Sequence, residues 1–376
     1  MTKRRFIVEP RGLVSWKVRL GVPIASVLAA FIVAGIFLFL TGVNPIEVYS
    51  EMLDAAFGSP RGISETLISA TPLILTGVAA AIAFKMLVWN IGGEGQFILG
   101  AIVASGVAIW LGDGVPSIVM IPIVVVAGGL GGAMWASIAA IPKVYLGTNE
   151  IITTLMLNFI ALALMNFLIF GSSSPWRDPE VSTFPQGRPI PESARIPEIF
   201  FRLTGGIFIA IALAVFAWYL IGKTRWGFAV RIVGDSSETA RYAGIGVARK
   251  ILTVFLLSGA YAGFAGGLFV AGPVGALDPR SLDLGLGFTG IIVAALAGLH
   301  LIAIIPVAIL MGALNNAGPS LQAIGVPTAT VTMLQGAILI FAVAGEFFIN
   351  NRIRRPDIEP EPEPEVEPVL EEVEPA

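Results

Sequence analysis

Two short stretches hold most of the polar side chains that this chain places among apolar residues. Residues 88–100 read VWNIGGEGQFILG and carry Asn90, Glu94 and Gln96 around three glycines. Residues 147–161 read GTNEIITTLMLNFIA and carry Asn149, Glu150, Thr154 and Asn158. Amides, hydroxyls and carboxylates of this kind can line a path for a polar solute, or satisfy backbone that apolar surroundings leave without partners. Nucleophilic or metal chemistry has far less to work with. The chain has no cysteine and one histidine, His300, which excludes a thiolate nucleophile, a disulfide framework and a multi-histidine metal site. No paired histidines and no serine-nucleophile motif support a membrane-embedded enzyme.

Each stretch allows two readings. Gly92, Gly93 and Gly95 permit backbone angles closed to other residues and close helix approach. Glu94 is costly near lipid unless it is paired, protonated or wet. The break is therefore either a boundary turn, with Glu94 in a first helical turn, or non-helical chain beside an internal aqueous path. Thr148 or Asn149 suits the N-cap of a helix starting near Glu150, and Glu150 suits the positive end of its dipole. Thr154 and Asn158 are four apart and share one face, as helix-to-helix hydrogen bonds or as path lining. Asn315 and Asn316 present the same choice. His300, between two apolar runs, and Glu346 read as interfacial residues rather than parts of a proton relay.

These residues need a membrane scaffold. Of 376 residues, 56% are hydrophobic and 13% charged, against roughly a quarter charged in soluble domains. Ten segments are apolar and long enough to suggest spans: 20–42, 66–86, 91–112, 117–141, 149–171, 205–222, 251–272, 286–299, 300–317 and 329–349. The eighth is short, so 286–317 is either two spans or a re-entrant element. No small-residue cleavage site follows the first apolar run, which reads as a retained span. The fold class expected is an all-α polytopic membrane protein of about ten transmembrane helices. Its divisions are a basic N-terminus (1–19), a transmembrane body (20–350) with a polar loop (223–250), and an acidic Pro/Glu tail (351–376) expected to be disordered.

Basic residues orient the body. Lys3, Arg4, Arg5, Arg11, Lys17 and Arg19 place the N-terminus in the cytoplasm, as Arg352, Arg354 and Arg355 place the C-terminus. Loop 43–65 is acidic and falls outside, while loop 223–250 is basic and falls inside. The longest outside loop, 172–204, reads as an irregular cap with a short helix. Spans two to five and seven to ten read as two copies of one pattern, with GGEGQ (92–96) and LGLGFTG (284–290) at corresponding places. Five crossings separate the copies, so the second is inverted, and such repeats place the pathway at their interface.

In the basic loop, Asp235 or Ser236 can cap a short helix that runs to Tyr242 and stops at Gly244. Its ETARYAG (238–244) matches the E-x-A-x-x-x-G core of the coupling-helix signature in permeases of ATP-binding-cassette (ABC) importers, with Thr239 where alanine is usual. Together with NIGGEGQ and GTNEIITTLMLN, this makes the chain resemble the branch that imports branched-chain amino acids, simple sugars and nucleosides. It is most similar to the nucleoside and simple-sugar permeases that work with a basic-membrane-protein-type lipoprotein, over roughly 20–350. The resemblance implies a type II importer-like fold in the cell membrane, with Asp235, Glu238, Ala240, Arg241, Tyr242 and Gly244 coupling to a separate cytoplasmic ATPase. It implies a second permease subunit, a paralogue favoured over a second copy, an extracytoplasmic solute-binding lipoprotein, and no nucleic acid. The candidate path comprises Asn90, Glu94, Gln96, Asn149, Glu150, Thr154, Asn158 and Asn315, mildly polar residues that suit a neutral nucleoside or sugar.

ATP and Mg would then sit on the partner, with no cofactor in this chain. A phosphate-binding loop needs G-x-x-x-x-G-K-[ST]. Gly222, Lys223 and Thr224 supply its end, but Ala217 stands at the first glycine position. The competing reading is an ion-coupled secondary transporter. That class usually carries deeply buried carboxylates, whereas Glu94 and Glu150 both fall near expected span ends.

Overall fold

A computed structural model describes residues 7–10, 15–171, 173–181, 185–327 and 329–354. The tail beyond 354 lies outside the described residues. Helices follow in the order α1 (Trp16–Leu40), α2 (Pro45–Phe57), α3 (Pro60–Phe84), α4 (Gly93–Leu111), α5 (Ser117–Leu146) and α6 (Glu150–Asn166), which continues through a π turn, Phe167–Gly171. Then come α7 (Gly206–Lys223), α8 (Arg225–Asp235), α9 (Ser237–Tyr242) and α10 (Val247–Phe269), with a second π turn at Val270–Val274. The chain closes with α11 (Pro279–Leu282), α12 (Leu286–Leu296), α13 (Ile304–Ala323) and α14 (Ala329–Asn350). Two short ribbons complete it: β1 (Ile7–Pro10) pairs antiparallel with β4 (Asn351–Arg354), and β2 (Glu198–Phe200) with β3 (Leu203–Thr204).

Local chemistry sets the helix starts. Side chains of Asn44, Ser59, Asn149, Thr224, Ser236 and Asp278 accept backbone N–H groups in the first turns of α2, α3, α6, α8, α9 and α11. Proline opens α2, α3 and α11, where its missing N–H is harmless. Among the described residues, nine helical segments are long and apolar enough to cross a membrane, and α14 adds a shorter apolar stretch, Ala329–Gly345.

Each expected span is met by a helix, but some boundaries move. The second starts at Pro60, and the fourth runs on to Leu146. The expected eighth span is α12, whose 11 residues cover about 16 Å at 1.5 Å each, roughly half of the hydrocarbon thickness. The pair 286–317 is therefore a half-length helix followed by a full one. Loop 43–65 contains a helix that sequence reading passed over: α2 buries Val48, Met52 and Ala56, four apart, on its apolar side.

The packing repeats. α10 packs on α4 and α5, and α3 packs in the same way on α12 and α13. α6 lies against α4 and α5, as α14 lies against α12 and α13, while α3 and α10 pack on each other. These matched pairings fit two copies of one pattern, as an inverted repeat requires, with α7 to α9 as the link between them.

Glycine permits the closest of these contacts. Lipid tails are as apolar as leucine, so helices in a bilayer associate through close packing rather than through the hydrophobic effect. On α10, a Cβ at Gly263 would come 2.8 Å from the Gly132 nitrogen of α5, and one at Gly266 would come 2.8 Å from the Ala101 nitrogen of α4. Both distances are impossible without moving a helix. Gly263→Leu is expected to destabilise the fold by about 3 kcal/mol or more, seen as loss of monodisperse protein after detergent extraction. Gly114→Ala, with open space around the added carbon, should extract normally.

Candidate functional site

The centre of the molecule is the junction between α3 and α4. After Phe84 the chain makes a tight turn, in which Met86 N–H and Val88 N–H both donate to the Ala83 carbonyl, at 3.0 and 3.2 Å. Leu87 takes a left-handed backbone angle, φ +54°, uncommon for a bulky side chain. Residues 88–92 then run without helix until α4 starts at Gly93.

Side chains from two other helices supply what this break lacks. Asn90 Nδ2 donates to Gln96 Oε1 (3.0 Å) and to Ser258 Oγ of α10 (2.9 Å), and Gln96 Nε2 donates back to Asn90 Oδ1 (2.9 Å). Gly92 N–H donates to Asn90 Oδ1 (3.1 Å), and Ser258 Oγ donates to the Ala79 carbonyl of α3 (2.7 Å). From α6, Thr154 Oγ1 accepts Ile91 N–H (3.3 Å). Asn158 Oδ1 accepts Gly95 N–H (2.8 Å), while its Nδ2 donates to the Ile91 carbonyl (2.9 Å). Asn158 stands eight residues into α6, about 12 Å along its axis. The break is thus below the end of that helix, where water cannot substitute for these partners.

Glu94 joins the two halves of the repeat. Its Oε2 accepts Gly287 N–H of α12 at 2.6 Å, and the residue is 5% exposed. Oε1 has no partner among the described residues. A Cβ on Gly287 would collide with the backbone of Gly93 and Glu94, so the first turns of α4 and α12 touch backbone to backbone. Two positive dipole ends meet there, which favours the carboxyl oxygen placed between them. Glu94 does lie at a helix end, as the sequence suggested, and that end is buried against the first turn of α12. Its position therefore no longer argues against ion coupling.

The other polar residues divide by location. Asn149 is exposed and caps α6, with Ile151 N–H at 3.0 Å, and Glu150 pairs with Lys143 at 2.7 Å. Asn315 Oδ1 accepts Gln335 Nε2 of α14 at 2.6 Å. Asn316 Nδ2 donates to the Ala55 and Gly62 carbonyls, both at 3.1 Å, fastening α13 to α2 and α3. His300 is exposed beside the start of α13. Asn90, Glu94, Gln96, Thr154 and Asn158 come together; Asn149, Glu150 and Asn315 stand apart from them. Among the described residues no group of three or more acidic, histidine or cysteine side chains could hold a metal.

A cavity of about 700 Å³ opens at the end of the bundle covered by the 172–204 loop. Its charged lining is Glu65, Arg195, Arg202, Asp278 and Arg280, with Arg202 and Glu65 paired at 3.0 Å. Sequence reading used Glu65 only as part of the acidic loop 43–65 and passed over the other four. The five come from α3, the outer loop and the segment before α12, and only the fold brings them together. The loop is tied down where it crosses: Ile196 N–H donates to the Ala271 carbonyl (2.7 Å), and Ile190 N–H to that of Gly275 (2.9 Å). Its expected short helix is a single 3₁₀ turn at Glu192–Ala194.

At the other end, loop 223–250 holds two helices where one was expected. Ser236, not Asp235, caps α9 by accepting Thr239 N–H (3.2 Å), and Asp235 ends α8. Ala240 is buried beneath α9, while Glu238 and Arg241 are exposed and Tyr242 is 94% exposed. Gly244, at φ +74°, turns the chain towards α10.

Residues 62–343 match the family model described as the permease component of the branched-chain amino acid transport system. A glucose ABC transporter permease protein of Haloferax volcanii is 33% identical over 92% of this chain and 93% of its own. A nucleoside ABC transporter permease protein of Lactococcus lactis is 33% identical over 87% and 91%, and a guanosine ABC transporter permease protein of Bacillus subtilis is 30% identical over 86% and 92%. No solved structure matches the chain. A polytopic helical bundle and these relatives define a transport subunit. The chain belongs to this family, as a multi-pass permease subunit of an ABC transporter.

Asn158→Ala orphans both Gly95 N–H and the Ile91 carbonyl, at about 1–3 kcal/mol for each buried group left unsatisfied. Thermal unfolding in detergent should register a large drop in melting temperature. Thr153→Val, at a half-buried position nearer the start of α6 whose hydroxyl donates to the Asn149 carbonyl, should leave it nearly unchanged.

Proposed function

We propose that this permease imports a neutral polar solute, a nucleoside or a simple sugar, and that a separate cytoplasmic ATPase grips it at α9. The observation that carries the reading is the form of α9: a six-residue helix, capped by Ser236, seated on buried Ala240 and projecting Glu238, Arg241 and Tyr242. Such a piece gains little from its own hydrogen bonds, so its fixed, outward pose suits a surface that another protein grips. The basic residues of 223–250 and of the flanking segments support a cytoplasmic position for α9 and the termini.

ATP and Mg belong to the partner. Gly222 and Lys223 end α7, and Thr224 caps α8, so the triplet that resembles a phosphate loop is a helix junction. The charged cavity then faces outside, where a solute-binding lipoprotein delivers its load. Leu284 lines that cavity and stands three residues before Gly287, so the chain leads from the cavity to the contact between Glu94 and Gly287. In this reading, movement at that contact and at Asn90, Gln96, Thr154 and Asn158 opens the path. A second permease subunit, a paralogue rather than another copy, completes the pathway. The nucleoside and glucose permeases among its relatives support the substrate class.

Proteoliposomes test this directly. The permease alone should concentrate no guanosine or glucose on any ion gradient, and uptake should require the ATPase, ATP and the lipoprotein. Tyr242→Ala should lower ATP-dependent uptake about tenfold while leaving the extracted protein's melting temperature unchanged, since an exposed side chain at the centre of an interface commonly contributes 1–3 kcal/mol to binding. Uptake driven by an ion gradient alone would refute the reading.

A further inference from the structure

The end of α8 rests on the turn that opens the α3–α4 break. A Cβ at Gly234 would come 2.6 Å from the Lys85 carbonyl oxygen and 3.0 Å from Met86 Cα. Helix backbone and turn backbone therefore touch with nothing between them. The rest of α8 is fastened as a rigid piece: Gly227, Ala229, Val230 and Val233 are buried, and the Arg231 guanidinium donates to the Ile221 carbonyl. Only Ser236 separates α8 from α9. A displacement of α9 has therefore little slack to absorb it before it reaches Met86.

Beyond Met86 the chain is set to move. Leu87 is held at φ +54° and Met86 and Val88 are buried on either side of it. Two residues further on, Asn90 is held by Gln96 and by Ser258 of α10, and four residues after that Glu94 reaches Gly287. Ten positions thus link the foot of α8 to the contact that joins the two halves of the repeat.

We propose that Gly234 is a positioning residue for transport: its bare backbone seats α8 on the Lys85–Met86 turn, so that movement of α9 displaces the Asn90–Glu94 segment. This rests on the ATPase gripping α9. It goes further in naming the contact that carries the movement and the segment that receives it. Side-chain contact would not serve as well, because a flexible side chain would take up part of the stroke by changing rotamer.

Hydrogen exchange on the complete transporter, with unmodified permease, separates the possible failures. In the assembled complex α9 should become protected, and addition of ATP and Mg with vanadate should change exchange in 85–94 and not in α5. If α9 gains no protection on assembly, the proposed grip is wrong and this inference falls with it. If α9 is protected but 85–94 does not respond to the nucleotide, the grip stands and the relay through Gly234 is overturned.

A second measurement uses the absence of cysteine from the chain. A fluorophore on Leu87→Cys, 66% exposed in the native residue, should report the nucleotide step. Adding Gly234→Ala should cut that response about fivefold or more, the scale of a lost coupling between sites, while ATP hydrolysis by the complex continues. Gly222→Ala, which adds a carbon where nothing lies within 4 Å, should leave the response intact. An undiminished response in the Gly234→Ala complex would overturn the proposal.

Discussion

Lipid offers no hydrogen bonds, so any chain that leaves the helix within a bilayer must find all its partners in protein. Everything distinctive about this permease follows from one such departure, at 88–92. The two amides Asn90 and Gln96 bind each other head to tail, and Ser258, Thr154 and Asn158 supply partners from α10 and α6. The same hydrogen bonds that make the break tolerable also bind three helices to it. A local violation of helical order becomes the point at which the bundle is held together.

The inverted repeat gives this point its second role. α4 and α12 bring the positive ends of their first turns together, an arrangement that favours an acceptor oxygen between them. Glu94 provides that oxygen, and glycines at 93 and 287 bring the backbones near enough for it to reach across. The halves of the protein are thus joined by polar contacts, this one and those of Ser258 with Asn90 and the Ala79 carbonyl. A contact that depends on hydrogen-bond geometry can be broken by a small displacement, whereas the glycine seam between α5 and α10 cannot be shifted without collisions along its length.

Much of this was visible in the sequence, for physical reasons that differ from element to element. Apolar length marked the spans, because the bilayer sets a minimum that few other constraints impose. Serine, glycine and the apolar–polar pattern placed α9 to within one cap residue. The glycines and amides of 90–96 marked a break, and the structure places Thr154 and Asn158 against it. The charged cavity was not legible. Glu65, Arg195, Arg202, Asp278 and Arg280 are scattered over more than half of the chain, and none has a spacing that announces a shared space. α8 was missed because its basic residues made the whole loop read as a surface piece, although every third or fourth position of it is buried. α2 was hidden by a charge pattern that signalled only which side of the membrane it faced.

The pairing of β1 with β4 has a consequence for how the protein is made. It brings the first and last membrane helices together, and α1 packs chiefly on α14. Roughly 290 residues separate the end of α1 from the start of α14, so a ribosome adding 5–20 residues each second takes roughly 15–60 s to supply the partner. During that interval the newborn α1 is in the bilayer without its final neighbour, with only lipid or an insertion factor to cover the side that α14 will occupy. A layer of the fold that is begun by α1 is thus closed by a helix translated long after it.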